Sequence, residues 1–207
     1  VYMVANGSSK QRANRTGGAA AIKTWRLIFV SAGEVSLSNL MSQAGKKVKA
    51  GQEVRFIDIP ADAGKGLGLF EELHGDLDGA SFAEALTSSS KSFYGTAARA
   101  FLTHVAADKA GFATRLKGLM AEFLQHVPEG ADGQIKRSAN RFALVAAAGE
   151  LASSITGWPE GESLRGIKVC FDSWLAERGE GSHESNQAIE SVKAQLLKWG
   201  DSRFGQT

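Results

Sequence analysis

The chain has 207 residues, of which 43% are hydrophobic and 22% are charged, values typical of a globular protein that can build its own core. The formal net charge of +2 excludes an overall basic field but leaves room for local basic patches. A single cysteine, Cys170, excludes an internal disulfide, and no apolar run is long enough to span a membrane. We therefore expect a cytoplasmic protein. The start at Val1 rather than Met indicates a fragment of a longer one.

The first segment that suggests a binding function is a basic one near the N-terminus. Lys10, Arg12 and Arg15 lie close together, and residues 8–21 contain no Asp or Glu. Such a segment is most often a solvated loop, but the planar guanidinium of arginine also suits phosphate oxygens. Because the segment leads directly into the first apolar run, its position favours the phosphate-facing interpretation.

That apolar run, residues 25–30, has the sequence WRLIFV and predicts a strand that is buried on both faces, as in a parallel α/β sheet. It ends on small and polar residues, among them Ser31 and Glu34. Ligands of open α/β sheets bind just beyond the carboxyl ends of the strands. Ser31 and Glu34 are therefore candidate catalytic residues.

A short helix is predicted from Ser38 towards Ala44, and a basic turn with Lys46 and Lys47 follows it. Residues 53–59 then alternate apolar and polar side chains, including Arg55, and predict a second strand. Strand, helix and strand at this separation form one βαβ crossover. Two strands cannot cover a run that is apolar on both faces, so an upstream segment or another chain must supply the rest of the sheet.

The remainder of the chain is predicted to be helical. Apolar positions recur with a spacing of 3.6 residues, and the stretch 142–148 is apolar all round, which places its helix at the centre of a bundle. Ser81 and Glu84 form a capping-box pattern at the start of the first of these helices. The predicted helices cover residues 81–86, 93–105, 112–127, 137–155, 164–175 and 182–199.

Several expected catalytic signatures are missing from the sequence. It contains no G-x-x-x-x-G-K-[ST] phosphate loop, its four histidines have no metal-ligand spacing, and no G-x-S-x-G elbow accompanies Ser31. The chain is therefore expected to be inactive as an ATPase on its own.

Six phrases together carry a resemblance to a known family: VYMVANGSSKQRANR, TWRLIFVSAGEVSL, GQEVRFIDIPAD, GLFEELHG, RFALVAAAGELA and GWPEGE. They resemble the domain-of-unknown-function 927 family, P-loop ATPase modules of phage, plasmid and integrated-element primase-helicase proteins. The resemblance implies that residues 1–90 are the C-terminal half of a RecA-like ATPase core, with the phosphate loop upstream. Residues 91–207 would be an α-helical extension that leads to a further C-terminal domain.

The resemblance also implies roles and partners. The full-length parent would bind ATP and Mg, act on DNA in mobile-element replication and form a homo-oligomer, while this fragment would hold no cofactor and no metal. Ser31 would be a polar sensor near the γ-phosphate, and Arg12 and Arg55 would stabilise phosphate charge. The candidate phosphate- or nucleic-acid-binding residues are Lys10, Arg15, Lys46 and Lys47.

A second hypothesis makes the chain a non-catalytic helical module that binds nucleic acid or a replication partner. Arginines clustered near the strand ends favour the ATPase hypothesis. Basic residues exposed along the helices, over residues 99–117 and 136–141, would favour the second.

Overall fold

A computed structural model describes residues 5–10, 12–13, 17–46, 52, 54–178 and 192–199. The chain divides into two compact units. The first comprises Val1–Asp58 with His183–Thr207, and the second is Ile59–Ser182.

The predicted α/β fold with a RecA-like parallel sheet is wrong for the described residues, which form helices and no strand. In the first unit, residues 25–30 do not form a buried strand: the side chains of Ile28 and Val30 are 63% and 94% exposed. An apolar strand is stabilised by partners on its edges and layers on its faces, and no described segment supplies them. Within the second predicted strand, residues 54–56 form a turn, because the backbone N–H groups of Arg55 and Phe56 both donate to the carbonyl of Gln52.

One short helix in this unit follows the prediction closely. Helix α1 spans Leu37–Gln43, and its first turn is capped by Ser36, whose Oγ accepts a hydrogen bond from the N–H of Asn39 at 3.1 Å. Asp58 adds a second acceptor, since its Oδ2 lies 3.0 Å from the backbone N of Leu37. The helix stops before Gly45, which adopts φ +67°, a conformation that glycine tolerates best. Residues 192–199 are helical, in agreement with the helix predicted over residues 182–199, and residues 182–191 of that prediction lie outside the described residues.

The second unit is helical, as predicted from the apolar spacing. Its helices are α2 (Gly79–Ser92), α3 (Thr96–Ala107), α4 (Lys109–Leu124), α5 (Gly133–Thr156) and α6 (Glu162–Arg178). Helix α2 begins at a different cap from the predicted one: Asp78, not Ser81, is the N-cap, and its Oδ1 accepts from the N–H of Ser81 at 2.7 Å.

Helix α5 is the centre of this unit and packs against α3, α4 and α6. Its buried face is built mainly from small residues, which lets the neighbouring helices approach closely. Phe142 contributes the large side chain, with its ring centroid 5.4 Å from that of Phe171 and 5.8 Å from that of Trp174. Phe123 of α4 completes the aromatic core at 5.9 Å from Phe171. The prediction that α5 is central is confirmed, although Leu144 and Val145 lie on its exposed side.

A tight turn joins α5 to α6. Gly157 ends α5 with φ +75°, and Glu150 then reaches across the turn. Its two carboxylate oxygens accept hydrogen bonds from the backbone N–H groups of Gly161 at 2.9 Å and Leu164 at 3.0 Å. Glu150 therefore accepts from two donors at the start of α6, one directly before the helix and one in its first turn, and the latter has no partner within the helix.

The opposite ends of the same two helices are joined by an ion pair. Asp132 is the N-cap of α5, and its Oδ1 accepts from the N–H groups of Gln134 and Ile135. Its Oδ2 lies 3.2 Å from a guanidinium nitrogen of Arg178, in the last turn of α6. The Arg178 side chain is only 6% exposed, and it also donates to the Gln134 side chain at 2.8 Å. Carboxylates thus hold α6 to α5 at both ends.

Candidate nucleic-acid interface

The predicted phosphate-facing segment is part of an antiparallel pairing in the first unit. The bridges Ser8↔Thr24 and Ala13↔Ala19 share one register. Backbone hydrogen bonds run from Ser9 N to the Lys23 carbonyl and from Ala20 N to the Arg12 carbonyl, both at 2.8 Å. We call the described residues between positions 7 and 26 the basic arm. The arm folds back on itself rather than leading into a sheet, because its two sides pair with each other.

The described cations of the basic arm are exposed. Lys10 and Arg12 lie on one side of the pairing, and Lys23 and Arg26 lie on or directly after the other. None of the four makes an ion pair among the residues that the structure describes, and the arm's sequence contains no Asp or Glu. Unpaired like charges repel one another, so this surface attracts a polyanion.

Lys23 and Arg26 were not among the predicted site residues. The uneven distribution of charge along the sequence could have indicated them. Residues 1–58 contain nine Lys or Arg and three Asp or Glu, which gives this stretch a net charge of +6. The small net charge of the whole chain hides that excess, because the remaining residues are acidic overall. One of the three carboxylates, Asp58, already accepts a hydrogen bond at the start of α1.

The other predicted site residues are scattered along the first unit. Ser31 and Glu34 lie on an exposed, irregular stretch, and neither forms a hydrogen bond or ion pair with another described residue. Arg55 lies in the turn after Gln52, and Lys46 lies just past the end of α1. With no described sheet, there are no strand ends to bring Ser31, Glu34 and Arg55 together. Arg15 and Lys47 fall outside the described residues.

An open hollow of about 610 Å³ lies at the base of the arm. It is lined by residues 5–7 on one side and 24–27 on the other, and the half-buried Trp25 and the exposed Arg26 are among these lining residues. The two sides are held together by a hydrogen bond from Trp25 N to the Gly7 carbonyl at 2.8 Å. The lining of the hollow therefore includes one aromatic residue and one basic residue.

The second unit carries exposed cations of its own. On α5, Lys136, Arg137 and Arg141 are exposed, and no Asp or Glu occurs in this helix before Glu150. Arg99 on α3 and the basic residues of α4 are exposed as well, and Arg115 lies 4.7 Å above the ring of Phe112. Exposed basic residues along these helices were the feature expected of a helical nucleic-acid-binding module.

The described residues were compared with the requirements of a metal site and of a reactive thiol. No group of three or more His, Cys, Asp or Glu side chains there could hold a metal ion. Burial raises the pKa of the Cys170 thiol, which keeps it protonated and weakly nucleophilic at neutral pH. Within the same residues, no helix has the length and apolar character needed to cross a membrane.

Comparison with known proteins adds no relative: no family model, no curated protein and no solved structure matches this chain. The resemblance to the domain-of-unknown-function 927 family therefore stays a hypothesis that depends on the six sequence phrases.

Proposed function

We propose that the chain is a helical module that binds nucleic acid through the basic arm of its first unit. The observation that carries this proposal is the set of four exposed cations on the arm, with no acidic residue in the arm's sequence. Lysine and arginine side chains that neutralise phosphates release bound counterions, and this release drives nucleic-acid binding. DNA is the partner we propose, and a cytoplasmic location suits that role.

The ATPase hypothesis has less support. Its expected ATP and Mg site needs a phosphate loop, which this sequence lacks, and a parallel sheet, which the described residues do not form. An ATPase parent, a homo-oligomer and a role in mobile-element replication rest on the sequence resemblance alone.

Binding of the full chain to a labelled oligonucleotide, followed by fluorescence anisotropy across a salt series, tests the proposal. We expect affinity to fall steeply with salt, with a slope of roughly −0.9 per phosphate contact on duplex DNA. Replacing Lys10 or Arg12 with Ala should flatten that slope by about one contact and weaken binding to every sequence alike. Lys65→Ala is the matched control, because Lys65 is an exposed cation in the second unit.

The alternative interface on α5 is tested in the same assay. If Lys136→Ala and Arg137→Ala flatten the salt slope while the arm variants do not, the interface is on the second unit. An absence of salt-dependent binding by the unmodified chain would refute the proposal as a whole.

A further inference from the structure

The hollow at the base of the basic arm has the composition of a stacking site. Its lining residues include the aromatic Trp25, the basic Arg26 and Asn6, whose side-chain amide can both donate and accept hydrogen bonds. Its volume of about 610 Å³ lies within the usual range for small-molecule sites, roughly 300–1,000 Å³. A single nucleotide fits a space of this size.

The backbone around the hollow depends on a glycine. Gly7 adopts φ +68°, and a Cβ at this position would lie 2.5 Å from the carbonyl oxygen of Trp25. A larger residue would therefore force the two lining segments apart. The close approach of Gly7 and Trp25 fixes the Trp25 backbone at the edge of the hollow.

We propose that this hollow takes an unpaired nucleobase, which stacks on Trp25 while Arg26 contacts the adjoining phosphate. The proposal deepens the proposed function and rests on it, because it makes single-stranded nucleic acid the preferred ligand of the basic arm. Aromatic side chains beside a cationic track are the usual device of single-strand binding, since every base presents a π-face.

Base stacking within a duplex explains why single-stranded nucleic acid should bind better than a duplex. In a duplex both faces of a base are covered by its neighbours, so it can reach Trp25 only after it has been unstacked, which costs free energy. Phe29, 60% exposed and four residues further along, offers a second surface for stacking. The positions Trp25, Arg26 and Phe29 therefore interleave aromatic and basic groups along one stretch of chain.

The test compares the binding of the full chain to a single-stranded 15-mer of thymidylate with its binding to a 15-base-pair duplex, by anisotropy over a salt series. Trp25→Leu should weaken single-strand binding by about 5-fold or more, the lower range for loss of one stacked base, and duplex binding by less than about 2-fold. The salt slope should not change, because leucine removes no phosphate contact. Trp25→Phe should keep most of the affinity, whereas Arg26→Ala should flatten the slope by about one contact.

Trp158→Ala is the control, because Trp158 is a 55% exposed tryptophan in the second unit. A flattened salt slope in Trp25→Leu would overturn the stacking role, because it would show that Trp25 supports the phosphate contacts of the arm and not a stacked base. Equal binding of both oligonucleotides, with no effect of Trp25→Leu, would also overturn it while leaving the basic arm as the interface. If neither oligonucleotide binds, this inference and the proposed function fail together.

Discussion

Replacing Asp132 with alanine tests how far the second unit depends on one carboxylate. The substitution removes the N-cap of α5, which is worth about 1 kcal/mol, typical of losing an Asp cap. It also removes the carboxylate that pairs with the buried guanidinium of Arg178. Breaking a buried pair in this way costs about 3–5 kcal/mol. We take the lower end, because Asp132 is 23% exposed and Arg178 keeps its hydrogen bond to Gln134.

The expected loss for Asp132→Ala is therefore about 4 kcal/mol, a large part of the roughly 5–15 kcal/mol that holds a typical domain folded. Asp132→Asn should cost less, about 3 kcal/mol, because asparagine caps a helix as well as aspartate does but carries no charge. Urea unfolding of the full chain, followed by far-ultraviolet circular dichroism, gives both values. Glu162→Gln is the control: its ion pair with Arg165 is exposed, so the unfolding midpoint should hardly move.

The pH dependence provides a second readout of the same pair. Burial alone would raise the pKa of Asp132, but hydrogen bonds from Ile135 N–H, Arg178 and Gln134 N–H outweigh it and lower that pKa below the usual 3.8. The stability that this lowered pKa contributes is fully present above pH 3.8 and is lost as the pH falls through the folded-state pKa. The Asp132→Asn variant should not show this loss of stability at low pH, because asparagine does not titrate. Equal stability of Asp132→Ala and the unmodified chain, or an unchanged acid response in Asp132→Asn, would refute this account of the pair.

Two further substitutions test the packing. Ile28→Asp should change the free energy of unfolding by less than about 0.5 kcal/mol, because Ile28 is 63% exposed, whereas a buried strand would have lost several kcal/mol. Thermal melting distinguishes the two outcomes, and a large drop would place Ile28 in a core. Gly149→Ala should destabilise the chain by about 1–3 kcal/mol, because the new Cβ would lie 2.0 Å from Ser163 Oγ, which donates to the Ala146 carbonyl. Gly118→Ala, where a Cβ would meet nothing within 4 Å, is its control in urea unfolding.

The helices of the second unit could be predicted because their signals are local. The 3.6-residue spacing of apolar side chains depends only on near neighbours, and the predicted end of α5 at residue 155 lies one residue from its observed end at Thr156. The start of α2 was placed at the wrong cap because Asp78 and Ser81 are both good N-cap residues, three positions apart. Choosing between them requires the backbone conformation, which the pattern does not contain.

The predicted sheet failed because an apolar run indicates a preference for burial but does not show that any other segment is in place to bury it. Residues 25–30 have the composition of a buried strand, but a strand is stabilised by segments that are distant in sequence. The Asp132–Arg178 pair was not predicted for the same reason, because its two residues are 46 positions apart in the sequence. The charge of the basic arm could be read from the sequence, whereas the hollow beside it depends on the pairing of residues 5–7 with 24–27.

The Glu150 hydrogen bonds and the Asp132–Arg178 ion pair join α5 and α6 at opposite ends. These contacts also restrict how the two helices can move. A helix that slides along its neighbour by one residue shifts by about 1.5 Å, enough to break a hydrogen bond of ordinary length. Because Glu150 holds the first turn of α6 and Asp132 holds its last, such a shift would break contacts at both ends at once. We therefore expect α5 and α6 to resist sliding past each other and to move together.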